Sequence, residues 1–522
     1  MKTVPAAPPK ARTFRNPVIP GFHPDPSICR VGDDFYLVTS SFEYFPGVPI
    51  FHSRDLVHWR QVGHVLTRPS QLDLRGMRSS GGIYAPTLRH RRGRFYMVTT
   101  NVGGGGHFYV TAKRPEGPWS DPIWLDDDGI DPSFFFDGDA VYYTRDGKGP
   151  DFDHPLIYQA KIDVDAGAFV SEPKPIWGGT GGIWTEGAHL YKVGTTYYLM
   201  AAEGGTAYDH SEVIARSSTP FGPFEAYPGN PIVSHRDRRR DPIQATGHAD
   251  LVELADGTWW AVLLGIRPRA GRYHLLGRET FLAPVTWTRD GWPIIGNRGR
   301  IELETIAPAL SSRPAAAPPK RDDFDRSELS FVWNFLRNPH ARDWSLRERP
   351  GHLRLRGSAI TLDDVDSPAL VVRSQQHFRV RCRAALEFAP RRANEEAGLT
   401  VRSNEDFRYD IAIQLGPSGR QAVLRRRVRG QSRVVQRCSV GQGPLELEVR
   451  ASEDRYLFFA GERGHLQPLG SLPTRAICAE KVGASGHLYF TGTRIGLYAT
   501  GNGRRSTVPA DFDWFDYVPV AE

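Results

Sequence analysis

The chain has 522 residues, a net charge of +7, 53 glycines, 41 prolines, 11% aromatic and 40% hydrophobic residues. That length is too great for one core and divides into two or three domains, and the composition is that of a turn-dense all-β chain rather than a disordered one. The basic runs Arg236–Arg240 and Arg425–Arg429 sit in no nucleic-acid module, and arginine alternating with apolar residues is the solvent face of a strand, which argues against nucleic acid as a partner.

No stretch is long enough to span a membrane, and residues 1–12 lack the apolar core of an export signal, so a cytoplasmic location is expected. Four cysteines, Cys29, Cys382, Cys438 and Cys478, lack metal-ligand spacing. They read as buried thiols in a reducing compartment.

From residue 25 onward five segments open on one pattern: Asp25-Pro26-Ser27-Ile28, Ala85-Pro86-Thr87-Leu88, Asp131-Pro132-Ser133-Phe134, Glu186-Gly187-Ala188-His189 and His248-Ala249-Asp250-Leu251. Eleven positions after each opening comes an aromatic residue: Tyr36, Tyr96, Tyr142, Tyr197 and Trp259. Between them lie Gly- and Asp-rich turns such as Val31-Gly32-Asp33-Asp34 and Asp137-Gly138-Asp139. Glycine supplies the positive φ of tight hairpins, and aromatic or β-branched residues suit a half-buried pleated surface. Recurrence at this spacing signals repeated units. Four strands in each of five units make a five-bladed β-propeller, spanning 14–305, whose radial closure protects its sheet edges.

A Pro/Ala-rich stretch over 306–320 breaks this rhythm and reads as a stiff linker. From 321 to 522 the pattern changes to strict alternation, as in Phe378, Val380, Cys382, Ala384 and Leu386 interleaved with Arg379, Arg381 and Arg383. This is a strand with one buried face, and the region reads as an antiparallel β-sandwich of concanavalin-like type. The fold class is all-β.

Radial closure would carry Asp25, Asp131, Glu186 and His248 to one axis. Glycoside hydrolysis needs one carboxylic acid of raised pKa to protonate the leaving oxygen and one ionised carboxylate across the sugar ring. A third carboxylate can keep the acid protonated by charge repulsion. Taken singly, an Asp before Pro is a common turn starter; three acids at equivalent repeat positions ask for more than turn chemistry.

The segments Asn16–Ser27, Ser40–Pro49, Gly82–Pro86, Asp131–Ser133, Thr185–Gly187, Gly247–His248 and Leu276–Thr280 together resemble glycoside hydrolase family 43, in its β-xylosidase branch with an appended C-terminal sandwich. The resemblance runs from about residue 14 to near the end of the chain. It implies an inverting mechanism with Asp25 as general base, Glu186 as general acid and Asp131 as the residue that tunes and orients the acid. It further implies that Arg278 binds sugar hydroxyls and faces the tuning carboxylate, that His248 lies near the channel axis, and that Phe42 and Tyr84 wall the sugar pocket. Tyr84 stands where relatives often have Trp, and Thr185-Glu186-Gly187-Ala188 replaces a more frequent Pro-Glu-Gly-Pro, so the substrate is less fixed than the reaction class.

The expected activity is exo-acting release of xylose from the non-reducing end of β-1,4-xylo-oligosaccharides, with α-L-arabinofuranosidase as the alternative. A non-catalytic carbohydrate-binding protein is a reading of another class, and the intact Asp25, Asp131 and Glu186 argue against it. The expected partner is a small oligosaccharide, with no nucleic acid and no membrane; a homo-oligomer is compatible with the sequence. The chemistry requires no cofactor. A calcium ion is the one candidate, either near the axis beside His248 or structural in the sandwich at Asp322, Asp323 and Asp516, where hard oxygen ligands suit it. The sandwich is expected to pack on the propeller and narrow its mouth through the glycine-rich segment from Phe490 to Gly496 and on to Gly503.

Overall fold

Five antiparallel sheets of four or five strands, one from each sequence unit, form the propeller in a computed structural model that describes residues 12–269, 273–310 and 319–520. Blade 1 comprises Ser27–Val31, Asp34–Val38, Gly47–Ser53 and Arg60–Leu66; blade 2 is built on Thr87–Arg91, Arg94–Val102 and Gly106–Ala112. Blade 3 uses Ser133–Asp137, Ala140–Gly147 and Leu156–Asp163, and blade 4 uses Glu186–Val193, Thr196–Glu203 and Ser211–Ser217. Blade 5 comprises Gln244–Glu253, Trp259–Ile266, Glu279–Trp287 and Pro293–Ile295. The N-terminal segment 1–12, read as carrying no export signal, and the linker over 306–320 fall largely on residues 1–11 and 311–318, outside the described residues. Among the described residues no helix is long and apolar enough to cross a membrane.

The aromatic at the fixed offset stitches neighbouring blades. Tyr36 meets Phe95 of blade 2 edge-on at 5.2 Å, Tyr96 meets Phe136 of blade 3 at 5.3 Å, and Phe135 meets Tyr197 of blade 4 at 6.5 Å. Such aromatic pairs add about 0.5–1.5 kcal/mol each beyond the area they bury. The ring closes without strand exchange. Thr13–Arg15 pairs with Glu304–Ile306, and the Asn16 side chain both donates to and accepts from the Leu282 backbone, so the N-terminal segment is laid along blade 5.

The C-terminal region is a two-sheet sandwich. One sheet runs, in spatial order, through Gln431–Ser439, Gly419–Val428, Arg408–Gly416, Glu396–Arg402, Arg494–Thr500, Ala369–Ser374 and Asn334–Leu336. The other is centred on Ala510–Pro519, Val380–Glu387 and Leu445–Ala451. Along Val380–Glu387 the inward residues Val380, Cys382, Ala384 and Leu386 are buried, as the alternation requires. The first sheet does not end within its own domain: Tyr44–Phe45 of the propeller adds to Asn334–Leu336 as an edge strand. One apolar cluster runs from Val48, Phe108 and Trp119 through Phe45 and Phe335 to Trp333 and the sandwich core. The two domains therefore share both a sheet and a core. All four cysteines are free thiols, Cys438 half-buried and the other three buried.

Candidate active site

The openings of blades 1, 3, 4 and 5 bring Asp25, Asp131, Glu186 and His248 together where the inner strands converge. Asp25, Asp131 and His248 have φ of 53°, 54° and 51°. Asp and His tolerate this left-handed region better than most residues, and departures of this kind collect at functional sites. In blades 4 and 5 the opening residue lies inside its strand, at a break in register between Glu186 and His189 and between Gly247 and Asp250. A bulge re-aims a side chain out of the regular alternation. Gly187 carries φ of 64°, and a Cβ there would lie 2.7 Å from His248 Nε2. Only glycine can follow the acid and leave room for the imidazole.

Asp25 is anchored at both oxygens. Ser40 Oγ donates to Oδ2 at 2.5 Å, Arg278 Nη1 donates to Oδ1 at 2.8 Å, and His248 Nδ1 lies 3.6 Å from Oδ1. The direct hydrogen-bond partner of Arg278 is the base candidate Asp25, while its charge also acts on the tuning carboxylate Asp131. Ring geometry gives the reason, since Arg278 enters blade 5, which neighbours blade 1 across the closure. A pairing of Arg278 with the adjacent Glu279 does not form; Glu279 is taken by Arg267 through two hydrogen bonds of 2.7 and 2.9 Å. Burial lowers the His248 imidazole, opposed by the Asp25 charge, so it is neutral at pH 7.

The carboxyls of Asp131 and Glu186 are both raised above the usual carboxylate range. Burial is the largest cause for each; then Glu186, Asp146 and Asp25 act on Asp131, and Asp146 and Asp25 act on Glu186, with Arg278 opposing in both cases. Two carboxyls in a dry site cannot both ionise near neutrality, so the pair retains a proton that can be delivered. Asp146 is a fourth carboxylate that the repeat reading did not pick out. Burial raises it to about 7, against the Ile130 N–H, which donates to its Oδ1. It lies fifteen residues after Asp131, as Ser40 lies fifteen after Asp25. In both blades the N–H of that residue donates to the carbonyl just before the opening, Ser40 to Pro24 and Asp146 to Ile130. In these two blades the residue fifteen positions after the opening therefore occupies an equivalent place in the repeat.

One wall is aromatic. Tyr84 packs 5.1 Å from Phe42 and donates its hydroxyl to the Ser80 carbonyl at 3.0 Å. Phe42 is only 1% exposed, so it backs the wall rather than facing the funnel. Phe490 of the sandwich completes the set, 5.8 Å from both Phe42 and Tyr84. Its carbonyl accepts from Arg278 Nη2 at 3.5 Å, its N–H donates to Ser80 Oγ, and the guanidinium lies over both phenyl rings. The glycine-rich sandwich segment thus reaches the residue that holds Asp25.

Beneath this layer Asp250 ties four blades at the axis. It accepts from Ser27 Oγ of blade 1, from both terminal nitrogens of Arg89 of blade 2 and from the Tyr191 hydroxyl of blade 4, at 2.6–3.1 Å. Burial would raise its carboxyl, but Arg89 and His189 hold it below the usual carboxylate range. Around His248 the two carboxylates that act on it, Asp25 and Asp250, are already paired with Arg278 and Arg89. In the sandwich, Asp322 accepts from Trp333 Nε1 and Asp516 is bridged by Arg321. Among the described residues no group of three or more His, Cys, Asp or Glu is arranged to hold a metal ion. These donor sets do not fit a calcium site, and no chemical step is routed through one.

Residues 14–293 match the model of glycosyl hydrolases family 43, and residues 321–518 match that of the beta xylosidase C-terminal concanavalin A-like domain. The chain is 48% identical over 97% of its length, and 95% of the relative's, to the non-reducing end alpha-L-arabinofuranosidase BoGH43B of Bacteroides ovatus. It is 33% identical to a beta-xylosidase of Bacillus subtilis, over 96% of this chain and 99% of that one. Among solved structures it superposes on the xylan beta-1,4-xylosidase of Bacillus halodurans C-125 with a TM-score of 0.90, 37% identity, and coverage of 97% of this chain and all of that one.

Proposed function

The chain belongs to glycosyl hydrolase family 43, and from that membership and the geometry of its funnel we propose that it is an exo-acting, inverting enzyme that releases terminal β-1,4-linked xylose from short xylo-oligosaccharides. Asp25 takes a proton from water as that water attacks the anomeric carbon. Glu186 gives its proton to the leaving glycosidic oxygen on the other side of the ring. Burial and the Asp146 and Asp25 charges keep Glu186 protonated at working pH, Asp131 orients it, and Arg278 fixes the base and offers its remaining N–H groups to sugar hydroxyls. The neutral His248 packs against Gly187 and holds the floor between base and acid.

The observation that carries this reading is the pairing of an Arg278-anchored Asp25 with a raised, protonated Glu186 in one funnel closed by Phe490. A wall contributed by a second domain suits a pocket that takes a chain end rather than a long polymer. A second reading, α-L-arabinofuranosidase, is favoured by the 48% identical relative of that name. Measuring kcat/KM on nitrophenyl β-D-xyloside and α-L-arabinofuranoside side by side tests it; an arabinofuranoside preference above tenfold would replace the first reading by the second. Proton NMR of the first-formed sugar tests the stereochemistry, and initial appearance of the β-anomer from a β-xyloside would overturn inversion.

A further inference from the structure

A second cleft lies apart from the funnel. It has a volume of about 1020 Å³ and lies between blade 1 and the sandwich, with Ser40, Ser41 and Phe22 on the propeller side and Arg373, Gln376 and Arg494 on the other. Two buried arginines in its wall have no carboxylate at ion-pair distance among the described residues, and the carboxylates that act on them, Asp322 on Arg373 and Glu43 on Arg494, do so only from farther off. Arg373 is 8% exposed; its guanidinium lies 4.1 Å over the Tyr517 ring and its Nε has no acceptor. Arg494 is 3% exposed; Nη1 donates to Ser374 Oγ at 2.7 Å, the guanidinium lies 4.0 Å over Tyr44, and Nε has no acceptor.

Several other buried arginines are ion-paired: Arg278 with Asp25, Arg337 with Glu405, Arg408 with Asp410. A buried charge is costly unless it is paired and hydrogen-bonded. Burial lowers both Arg373 and Arg494 from the usual guanidinium range, the direction expected where the cation lacks a close anion. At the mouth Arg60 and Arg326 outnumber the single acid Glu328, and the half-exposed Trp59 and the exposed Phe331 present ring surface. Forked guanidinium donors match carboxylate and phosphate oxygens, and aromatic rings match the apolar face of a sugar.

We propose that this cleft is a second ligand site, separate from the funnel, that takes an anionic sugar, carboxylate- or phosphate-bearing, on Arg373 and Arg494 with Trp59 and Phe331 as its apolar platform. Ser40, whose hydroxyl donates to Asp25, also lines this cleft.

Calorimetric titration of the full chain with D-glucuronate, inorganic phosphate and D-glucose, at pH 7 and low salt, tests this. One or both anions should bind with 1:1 stoichiometry at least tenfold more tightly than glucose, and saturating D-xylose, which occupies the funnel, should not displace them. Glucuronate over phosphate assigns a carboxylate-bearing sugar, and the reverse order a phosphorylated one. Arg373→Gln and Arg494→Gln should each weaken the anion at least tenfold while leaving turnover of the nitrophenyl glycosides unchanged. If those variants do not fold, Trp59→Ala at the mouth should weaken glucuronate and not phosphate. Equal affinity for glucose and both anions, anion binding unaltered in the variants, or displacement by D-xylose would each overturn the proposal.

Discussion

Arg278 Nη1 lies 2.8 Å from Asp25 Oδ1, and Nη2 of the same guanidinium reaches the Phe490 carbonyl at 3.5 Å, so one side chain joins the base to the second domain. A lysine has the charge but not the fork and cannot hold both contacts. Arg278→Lys should lower kcat/KM by about 10²-fold, in line with loss of a positioned charged donor. Asp25→Ala should lose about 10²- to 10⁴-fold on every substrate, since the water has no base. Azide should restore part of that rate by attacking from the vacated face. Steady-state kinetics on both variants check this; near-normal turnover in Asp25→Ala would remove it as base.

Glu186→Ala should behave differently. Protonation of the leaving oxygen matters most when the leaving group is a poor one. Hydrolysis of xylobiose should therefore fall about 10²- to 10⁴-fold, with a much smaller fall on nitrophenyl glycosides. Equal losses on the two substrate types would take the acid role away from Glu186.

How much of this was open to the sequence follows from the repeat. A propeller places equivalent residues at equivalent heights about its axis, so a fixed opening and a fixed aromatic offset were enough to identify the blades and to gather Asp25, Asp131, Glu186 and His248. Asp146 carried a signal, its place fifteen residues after an opening, but that signal shows only beside Ser40, once the pairing of Ser40 with Asp25 is known. Phe490 and the direct partner of Arg278 could not be read from spacing. Each depends on contacts across more than two hundred residues, between the sandwich and blade 5 and between blades 5 and 1. Phe42 was legible as an aromatic near the site but not as a buried one, because burial behind Tyr84 is a tertiary fact.

Asp146→Asn offers a test by pH. The carboxyl is raised from 3.8 to about 7, so the folded chain holds its proton more tightly than the unfolded chain does. Stability from this group is full below about pH 4 and is lost as pH rises toward about 7. Asparagine still accepts from the Ile130 N–H and never ionises. The variant should gain stability, by roughly 4 kcal/mol at most at 1.4 kcal/mol per pKa unit, and the gain in Tm should be larger at pH 8 than at pH 5. Loss of the Asp146 charge should also move the alkaline limb of the pH–rate profile to lower pH, because that charge raises Glu186. An unmoved limb would separate Asp146 from the acid.

Gly492 sits two residues past Phe490 and touches blade 5. A Cβ on Gly492 would meet the Leu276 carbonyl oxygen at 2.3 Å, and one on Gly277 would meet Gly492 Cα at 2.9 Å. Gly492→Ala must push the sandwich segment away from Arg278 and Tyr84. A displacement near 1 Å at a positioning group can cost up to about 10²-fold, so kcat/KM on xylobiose should fall by roughly ten- to a hundredfold, with a lowered Tm because the clash is with backbone. Wild-type kinetics in this variant would show that Phe490 does not set the pocket.

Ending the chain after Ser312 tests whether the sandwich is a detachable module. Removing it strips the neighbour from Tyr44–Phe45, which pairs with Asn334–Leu336, and opens the apolar cluster at Phe45, Val48, Phe108 and Trp119 to water. An exposed strand edge beside an apolar patch is an aggregation site. It also removes the Phe490 carbonyl and ring from Arg278 and Tyr84, leaving the funnel open on the side where the terminal sugar is held. The truncated propeller should therefore have lower solubility, and whatever remains soluble should bind xylobiose more weakly while Asp25, Asp131 and Glu186 are all still present. Light scattering and KM on xylobiose report the two effects separately. A monomeric truncated propeller with unaltered KM would mean that the pocket closes within the five blades and that the shared sheet serves only to fasten the domains together.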